Sequence, residues 1–315
     1  MVTTGLGKPR EKEKPLRFRI WQSRELYLFL LPAVVLVIVF SYLPMYGILV
    51  AFKDFKPHLG ILDSAWAGWK YFDRFFSMPM FDVILKNTLI LSFYMLIAGF
   101  PLPILLALAL NSTPNQRLKK LVQTVTYAPH FISIVIIVGM INIFFSPSTG
   151  IVRSLLTNVG LMEGNIDVLM SASSFPHLYV WSGVWQTLGW SSIIYLGALS
   201  GVDPALHEAA IIDGATKFQR VIRIDLPLIL PTIVILLILE SGTIMNVGFE
   251  KTFLMQNAFN LSTSEVINTY VYKIGIREAQ YSLSAAIGLF NSGINFIMIL
   301  LVNQVSRRLG QESLW

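Results

Sequence analysis

The stretch "EAAIIDGATKFQRVIRIDLP", Glu208 to Pro227, sets a short, mixed-charge, glycine-broken segment between two long apolar runs. Just before it, Asp203 can cap a helix, and Pro204 suits the first helical position, where a missing N–H costs nothing. Gly214 can take the left-handed conformation that ends a helix. A short helix is therefore expected from about 204 to 213. A second, Thr216 to Arg223, leads into Pro227, which suits the start of the next apolar run. Together they form a helix-turn-helix knuckle whose tip presents the small residues Ala209, Ala210, Gly214 and Ala215 between the acids Glu208 and Asp213. A mere connector needs only a few residues. This loop, 203–227, is long, capped and partly apolar, with Ile211, Ile212, Phe218, Val221 and Ile222 in need of burial, so the expectation is a docking surface for a partner.

The runs on either side fix the surroundings of the knuckle. The chain has 315 residues, of which 54% are hydrophobic and 13% charged, with a mean hydropathy of +0.63. In soluble domains about a quarter of residues are charged, so lipid is the solvent for much of this chain. Six segments are apolar over roughly the 17 to 25 residues a helix needs to cross a bilayer: 26–50, 83–110, 121–145, 179–200, 227–248 and 283–304. They are too long and too uniform for the alternating strands of a membrane barrel. The expected fold is an all-α integral membrane protein with six transmembrane helices. Its organisation is a basic tail (1–25), a first transmembrane helix (26–50), an external loop with an interfacial helix (51–82), a transmembrane core (83–304) holding the knuckle, and a C-terminal tail (305–315).

Basic residues orient it. Fifteen lysines and arginines fall in the N-terminal tail, in the loops after the second and fourth spans, and at the C-terminus, against eight in the opposite loops. The positive-inside rule then places both termini and the knuckle in the cytoplasm. The net charge of +6 is a topology signal, and no aromatic-interleaved basic patch points to nucleic acid. In the external segment "DSAWAGWKYFDRFF", 63–76, the rings of Trp66, Trp69, Tyr71, Phe72, Phe75 and Phe76 suit the headgroup zone, with sugar stacking as the alternative.

Chemistry-bearing constellations are missing. There is no cysteine, and His58, His130, His177 and His207 lack metal-ligand spacing, so no metal site and no catalytic residue is expected. No phosphate-binding GxxxxGK[ST] occurs, so any ATP must be bound by a separate subunit. An ion- or proton-coupled carrier is the alternative, but such carriers show internal repeats, and the knuckle would go unexplained.

The fixed positions Glu208, Ala209, Ala210, Gly214 and "IDLP" at 224–227, with "DGA" at 213–215, resemble the EAA loop of bacterial binding-protein-dependent ABC importer permeases. The resemblance implies that Glu208, Ala209, Ala210, Asp213, Gly214 and Ala215 sit in a cleft of an ATPase subunit that binds ATP and Mg. It further implies two permeases, the second different in sequence, two ATPases, and an extracytoplasmic sugar-binding protein, in the bacterial cytoplasmic membrane. "YAPHFISIVIIVGMINIFFSPSTGIV" (127–152), "GFEKTFLMQNAFN" (248–260), "VINTYVYKIGI" (266–276) and the terminal "AAIGLFNSGINFIMILLVNQVSRRLGQESLW" resemble carbohydrate permeases that include importers for alginate and other complex oligosaccharides.

Within the spans, Glu240 stands out. A carboxylate about 13 residues into the fifth span costs roughly 2.5 to 3.5 kcal/mol and should face the interior. Two readings are open: packing against Asn142 or Asn291, or a sugar pathway lined by Glu240 with Trp190, Tyr195, Asn246 and Asn295. Ser284, Gly288 and Ser292 recur every fourth residue and are expected to pack a neighbouring helix closely.

Overall fold

The computed structural model describes residues 21–146, 150–160, 167–310 and 313–314. The chain forms two compact units, residues 1–49 and 50–315. The expected basic tail, 1–25, lies largely outside the described residues. The helical run α1, Arg24–Phe52, includes a π-helical stretch at Ile38–Tyr42, and its large apolar side chains are exposed, as befits a surface that meets lipid or protein.

In the second unit a two-stranded hairpin, β1 (Lys53–Lys56) and β2 (Ser64–Trp66), pairs antiparallel with Lys53 opposite Trp66. It leads to α2 (Lys70–Phe76) and to the long helical run α3 (Met80–Asn111). The third apolar run departs from the expected single span. It forms α4 (Gln116–Phe131) and α5 (Ile134–Phe144), two legs bent by 101°. Asn115 caps α4, accepting from Arg117 N and Leu118 N, and Ser133 caps α5, so the chain starts a second helix inside the run.

After α6 (Ile151–Asn158) comes α7 (Phe175–Ser200), then α8 (Pro204–Ile212) and α9 (Lys217–Ser241). Here the structure corrects two boundaries. The expected second knuckle helix is no separate element: it is the base of α9, which runs through Pro227 without a break. Proline lacks the donor for the carbonyl four residues back and clashes with it. The widened π turn Val221–Asp225 immediately before relieves that contact, just as the π turn in α1 precedes Pro44. At its other end α9 stops at Ser241, seven residues short of the expected 248.

Short helices α10 (Phe249–Met255), α11 (Leu261–Ser264) and α12 (Ile267–Tyr272) then lead to α13 (Tyr281–Arg308). A buried polar network fixes them. Lys273 pairs with Glu265 and donates to Gln256 Oε1 at 3.0 Å, Thr269 Oγ1 donates to Glu265 Oε1 at 2.8 Å, and Asn87 Nδ2 donates to the Glu265 carbonyl at 3.0 Å. Among the described residues four helices are long and apolar enough to cross a membrane, or five with the bent pair counted as one span.

Four apolar clusters hold the unit among the described residues, the smallest joining Ala51, Phe72 and Ala286. Of the others, one joins α2, α3, α12 and α13 through Phe75, Ile84, Ile267 and Leu283. The second sets Leu91 against Tyr179 and Val184, and the third sets Ile104 and Leu108 against Tyr195, Leu199 and Ile229. The rings expected in the external loop divide between the core and the surface. Phe72 and Phe75 are buried, while Trp66 and Trp69 are exposed. The Ser282 hydroxyl bolts the hairpin to the start of α13, donating to the Lys53 carbonyl at 2.6 Å and accepting from Phe55 N at 3.0 Å. The small-residue stripe packs only at Ser284, where a Cβ on Gly275 would come 2.7 Å from the hydroxyl; a Cβ on Gly288 would meet nothing within 4 Å.

Candidate functional site

Between α3, α7 and α9 lies a cavity of about 420 Å³. Three of the five pathway residues expected from sequence, Trp190, Tyr195 and Glu240, line it together with Thr187 and Ser191. A smaller neighbouring space of about 140 Å³ shares Met95, Leu96 and Glu240 and adds Tyr179 and Asn246. Asn295 is elsewhere. It is buried behind the wall, accepting from Met245 N at 2.9 Å and donating to Asn246 Oδ1 at 3.1 Å. Asn291, one turn away on α13, donates to the same Asn246 oxygen at 2.9 Å. Asn295 therefore supports the cavity wall from behind and does not line either space.

Neither partner weighed for Glu240 is bonded to it. Asn291 is engaged with Asn246, and Asn142 lines a different cavity, with Asn257 and Asn260. The Glu240 carboxylate has no hydrogen-bond or ion-pair partner among the described residues, and its side is exposed to the cavity. It sits in the last turn of α9, where a negative charge faces the negative end of the helix dipole. Neither packing nor helix stability favours an acid there.

Gly242 ends α9 beside α13, where a Cβ at that position would lie 3.0 Å from Ile299 Cδ1. The turn that follows is held from three sides, by Asn291 and Asn295, by the Tyr179 hydroxyl accepting from Gly248 N at 3.0 Å, and by Asn268 Nδ2 donating to the Val247 carbonyl at 2.8 Å. Lys251 on α10 follows. It is buried, donates to the Tyr179 carbonyl at 2.8 Å and lies 4.8 Å from the Tyr179 ring centroid. Burial pushes its ammonium down to about 7.

Thr187 and Ser191 went unread in the sequence. Their signal was present: Thr187, Ser191 and Tyr195 recur every fourth residue, and Trp190 lies beside them, which places all four on one face of a helix.

The knuckle is built as expected at its first half. Asp203 accepts from Ala205 N at 2.9 Å, Pro204 opens α8, and Gly214 has a φ of +78°. The reversal is closed by Ala215 N donating to the Ala210 carbonyl at 2.9 Å. Thr216 and Gln219 form a reciprocal capping box at the start of α9. His207 Nε2 stands 3.2 Å from Asp225 Oδ1, a buried oxygen without a hydrogen-bond partner, where α8 meets the base of α9. Glu208, Ala209, Asp213 and Gly214 are exposed, and Ala210 and Ala215 are half-buried. Ile211, Ile212, Phe218 and Ile222 are also exposed, Ile212 at 86% and Phe218 at 74%. Only Val221 of the five apolar residues turns inward, against Ile229 and Leu199. Within this chain the knuckle therefore leaves unburied the side chains that require burial.

Residues 99–311 match the family described as "Binding-protein-dependent transport system inner membrane component". The chain is 41% identical over 306 residues to the polygalacturonan/rhamnogalacturonan transport system permease protein YteP of Bacillus subtilis (strain 168), covering 97% of this chain and 95% of that one. It is 42% identical over 294 residues to protein LplB of the same organism, covering 93% and 92%. Among solved structures it superposes with a TM-score of 0.86 at 38% identity on a chain of a bacterial alginate ABC transporter in complex with an alginate pentasaccharide-bound periplasmic protein, covering 96% of this chain and all of that one.

Proposed function

Since the chain belongs to the family of binding-protein-dependent transport system inner membrane components, we propose that it is the permease subunit of an ABC importer that moves oligosaccharides or polysaccharide fragments. Its relatives' work on polygalacturonan, rhamnogalacturonan and alginate supports that substrate class. The chain spans the bacterial cytoplasmic membrane six times, with α4–α5 and α7 as the third and fourth spans and both termini in the cytoplasm. It works with a second permease of different sequence, two ATPases that bind ATP and Mg, and an extracytoplasmic sugar-binding protein.

The observation that carries this reading is the path of α9. One unbroken helix starts in the knuckle and ends at the cavity, with exposed Phe218 near one end and Glu240 at the other. When the ATPases close on ATP they draw the knuckles together, α9 shifts as a unit, and the cavity opens outward to receive sugar from the binding protein. Hydrolysis resets it. In the cavity, Glu240 and Asn246 offer acceptors to sugar hydroxyls, and Trp190 offers a flat apolar face.

The test is uptake by proteoliposomes holding the purified complex. ATP enclosed with the ATPases should drive uptake in the absence of ion gradients. Uptake driven by a proton or sodium gradient without the ATPases would establish the carrier alternative instead. A protease site inserted at Asn115 should be cut only from the cytoplasmic side; cleavage in spheroplasts from outside would invert the topology.

A further inference from the structure

The break between α4 and α5 is gripped by one stretch of α7 at three points. Gln186 Nε2 donates to the Ile132 carbonyl at 3.0 Å. At Gly189 the backbones are so close that a Cβ would lie 2.2 Å from the Thr126 carbonyl oxygen. One residue on, the Trp190 indole lies flat on the His130 imidazole, with centroids 4.3 Å and planes 3° apart, and Phe131 meets the indole edge-on at 5.9 Å and 84°.

Trp190 is also a wall of the 420 Å³ cavity, beside Thr187, Ser191 and Glu240. His130 does not line that space. It covers one face of the indole, Phe131 covers an edge, and 47% of Trp190 remains exposed. A pyranose ring has a face made of C–H groups, and an indole face carries the complementary negative quadrupole. That match is useful only when the indole is held at one tilt, because freezing a mobile side chain on binding costs affinity.

Resting on the reading of the cavity as the sugar pathway, we propose that His130 is a positioning residue: it holds the Trp190 indole flat as a platform on which a sugar ring of the passing oligosaccharide stacks. The same stack ties the platform to the break in the third span, so a change in the angle between α4 and α5 tilts the platform. Sugar selection and the conformational cycle then meet at one pair of rings.

The experiment uses the complete complex in proteoliposomes with saturating, sugar-loaded binding protein. The probes are trigalacturonate, an alginate trimer and arabinotriose, and those that load the binding protein are used. Uptake per ATP hydrolysed is compared for wild type, Trp190→Ala, His130→Ala and His130→Phe. Trp190→Ala and His130→Ala should each lower uptake per ATP by about three- to tenfold, the range expected from releasing one aromatic contact. In the His130 variants, ATPase stimulation by the binding protein should stay within about twofold of wild type on the same scale. His130→Phe should restore uptake, because a phenyl ring also stacks.

The Trp190 part of the fluorescence, taken as the difference from Trp190→Phe, should move in His130→Ala and return in His130→Phe. Wild-type coupling and an unmoved emission in His130→Ala, with Trp190→Ala defective, would overturn the positioning role and leave the pathway standing. Wild-type behaviour of Trp190→Ala would remove the pathway reading itself. Parallel loss of uptake and ATPase activity in both His130 variants would make the stack a packing joint and overturn the proposal.

Discussion

Gly214 offers a clean perturbation, because conformation and space can be separated there. Its φ is +78°, and a Cβ built on it would meet nothing within 4 Å. The cost of any side chain is therefore a backbone cost, about 1 to 2 kcal/mol for an ordinary L residue in the left-handed region. Asparagine enters that region several-fold more readily, while a β-branched residue there is a genuine outlier. At 1.4 kcal/mol per factor of ten, alanine should depopulate the native turn by roughly five- to thirtyfold, and valine by more. Two hydrogen bonds depend on that turn, Gly214 N to the Ile211 carbonyl and Ala215 N to the Ala210 carbonyl. Coupled uptake and ATPase activity of the reconstituted complex should therefore rank Gly, Asn, Ala, Val, with membrane insertion unchanged throughout. Valine performing as well as asparagine would refute the conformational reasoning. Asparagine and alanine failing alike would mean that something in the assembled complex fills the open space, so that size is the constraint.

Other expectations concern single residues elsewhere. Burial holds the Lys251 ammonium at about 7 against an ordinary value of 10.5, so the fold prefers the neutral amine and the unfolded chain binds the proton more tightly. Relative to Lys251→Met, wild-type stability should accordingly rise as the pH climbs from about 7 toward 10, read as the difference in detergent melting temperature; a flat difference would contradict it. Gly189→Ala drives a Cβ into the Thr126 carbonyl and should cost about 1 to 3 kcal/mol, whereas Gly288→Ala, in open space, should be neutral or stabilising by up to about 1 kcal/mol. Equal melting temperatures for the two would count against the close approach of α4 and α7. Glu240→Gln keeps volume and much of the hydrogen bonding, so it should slow uptake or shift sugar preference in an intact, ATPase-bound complex, and unchanged uptake kinetics across several oligosaccharides would return Glu240 to a structural role.

Much of this was legible in the residues. Hydropathy located α1, α3, α9 and α13, the four described helices long and apolar enough to cross a membrane, and Asp203, Pro204 and Gly214 shaped α8 through capping rules that act within a few residues. What escaped was decided by contacts distant in sequence or by local backbone choices that averaging hides. A window over 121–145 sees only apolar side chains and passes across the break, although Pro129 and Ser133 mark it. Pro227 read as a helix start, because the π turn that accommodates it has no composition of its own. Asn295 looked like a pathway residue, since span position alone does not tell the inward-facing amide from one committed to Asn246 49 residues away. His130 carried no metal-like spacing, and its role rests on Trp190, 60 positions along the chain.

The unbroken course of α9 also sets a mechanical ratio. Lys217 and Glu240 are 23 residues apart, which at 1.5 Å per residue is a lever arm of about 35 Å. Pivoting it by about 10° sweeps the Glu240 end through roughly 6 Å, comparable to the rise of one helical turn. The π turn Val221–Asp225 sits at the knuckle end of that lever, where His207 stands beside Asp225. On the proposed coupling, a small change of angle at the knuckle end is amplified into displacement at the cavity, and the stiffness of a few residues around Asp225 would set how much of it reaches the wall.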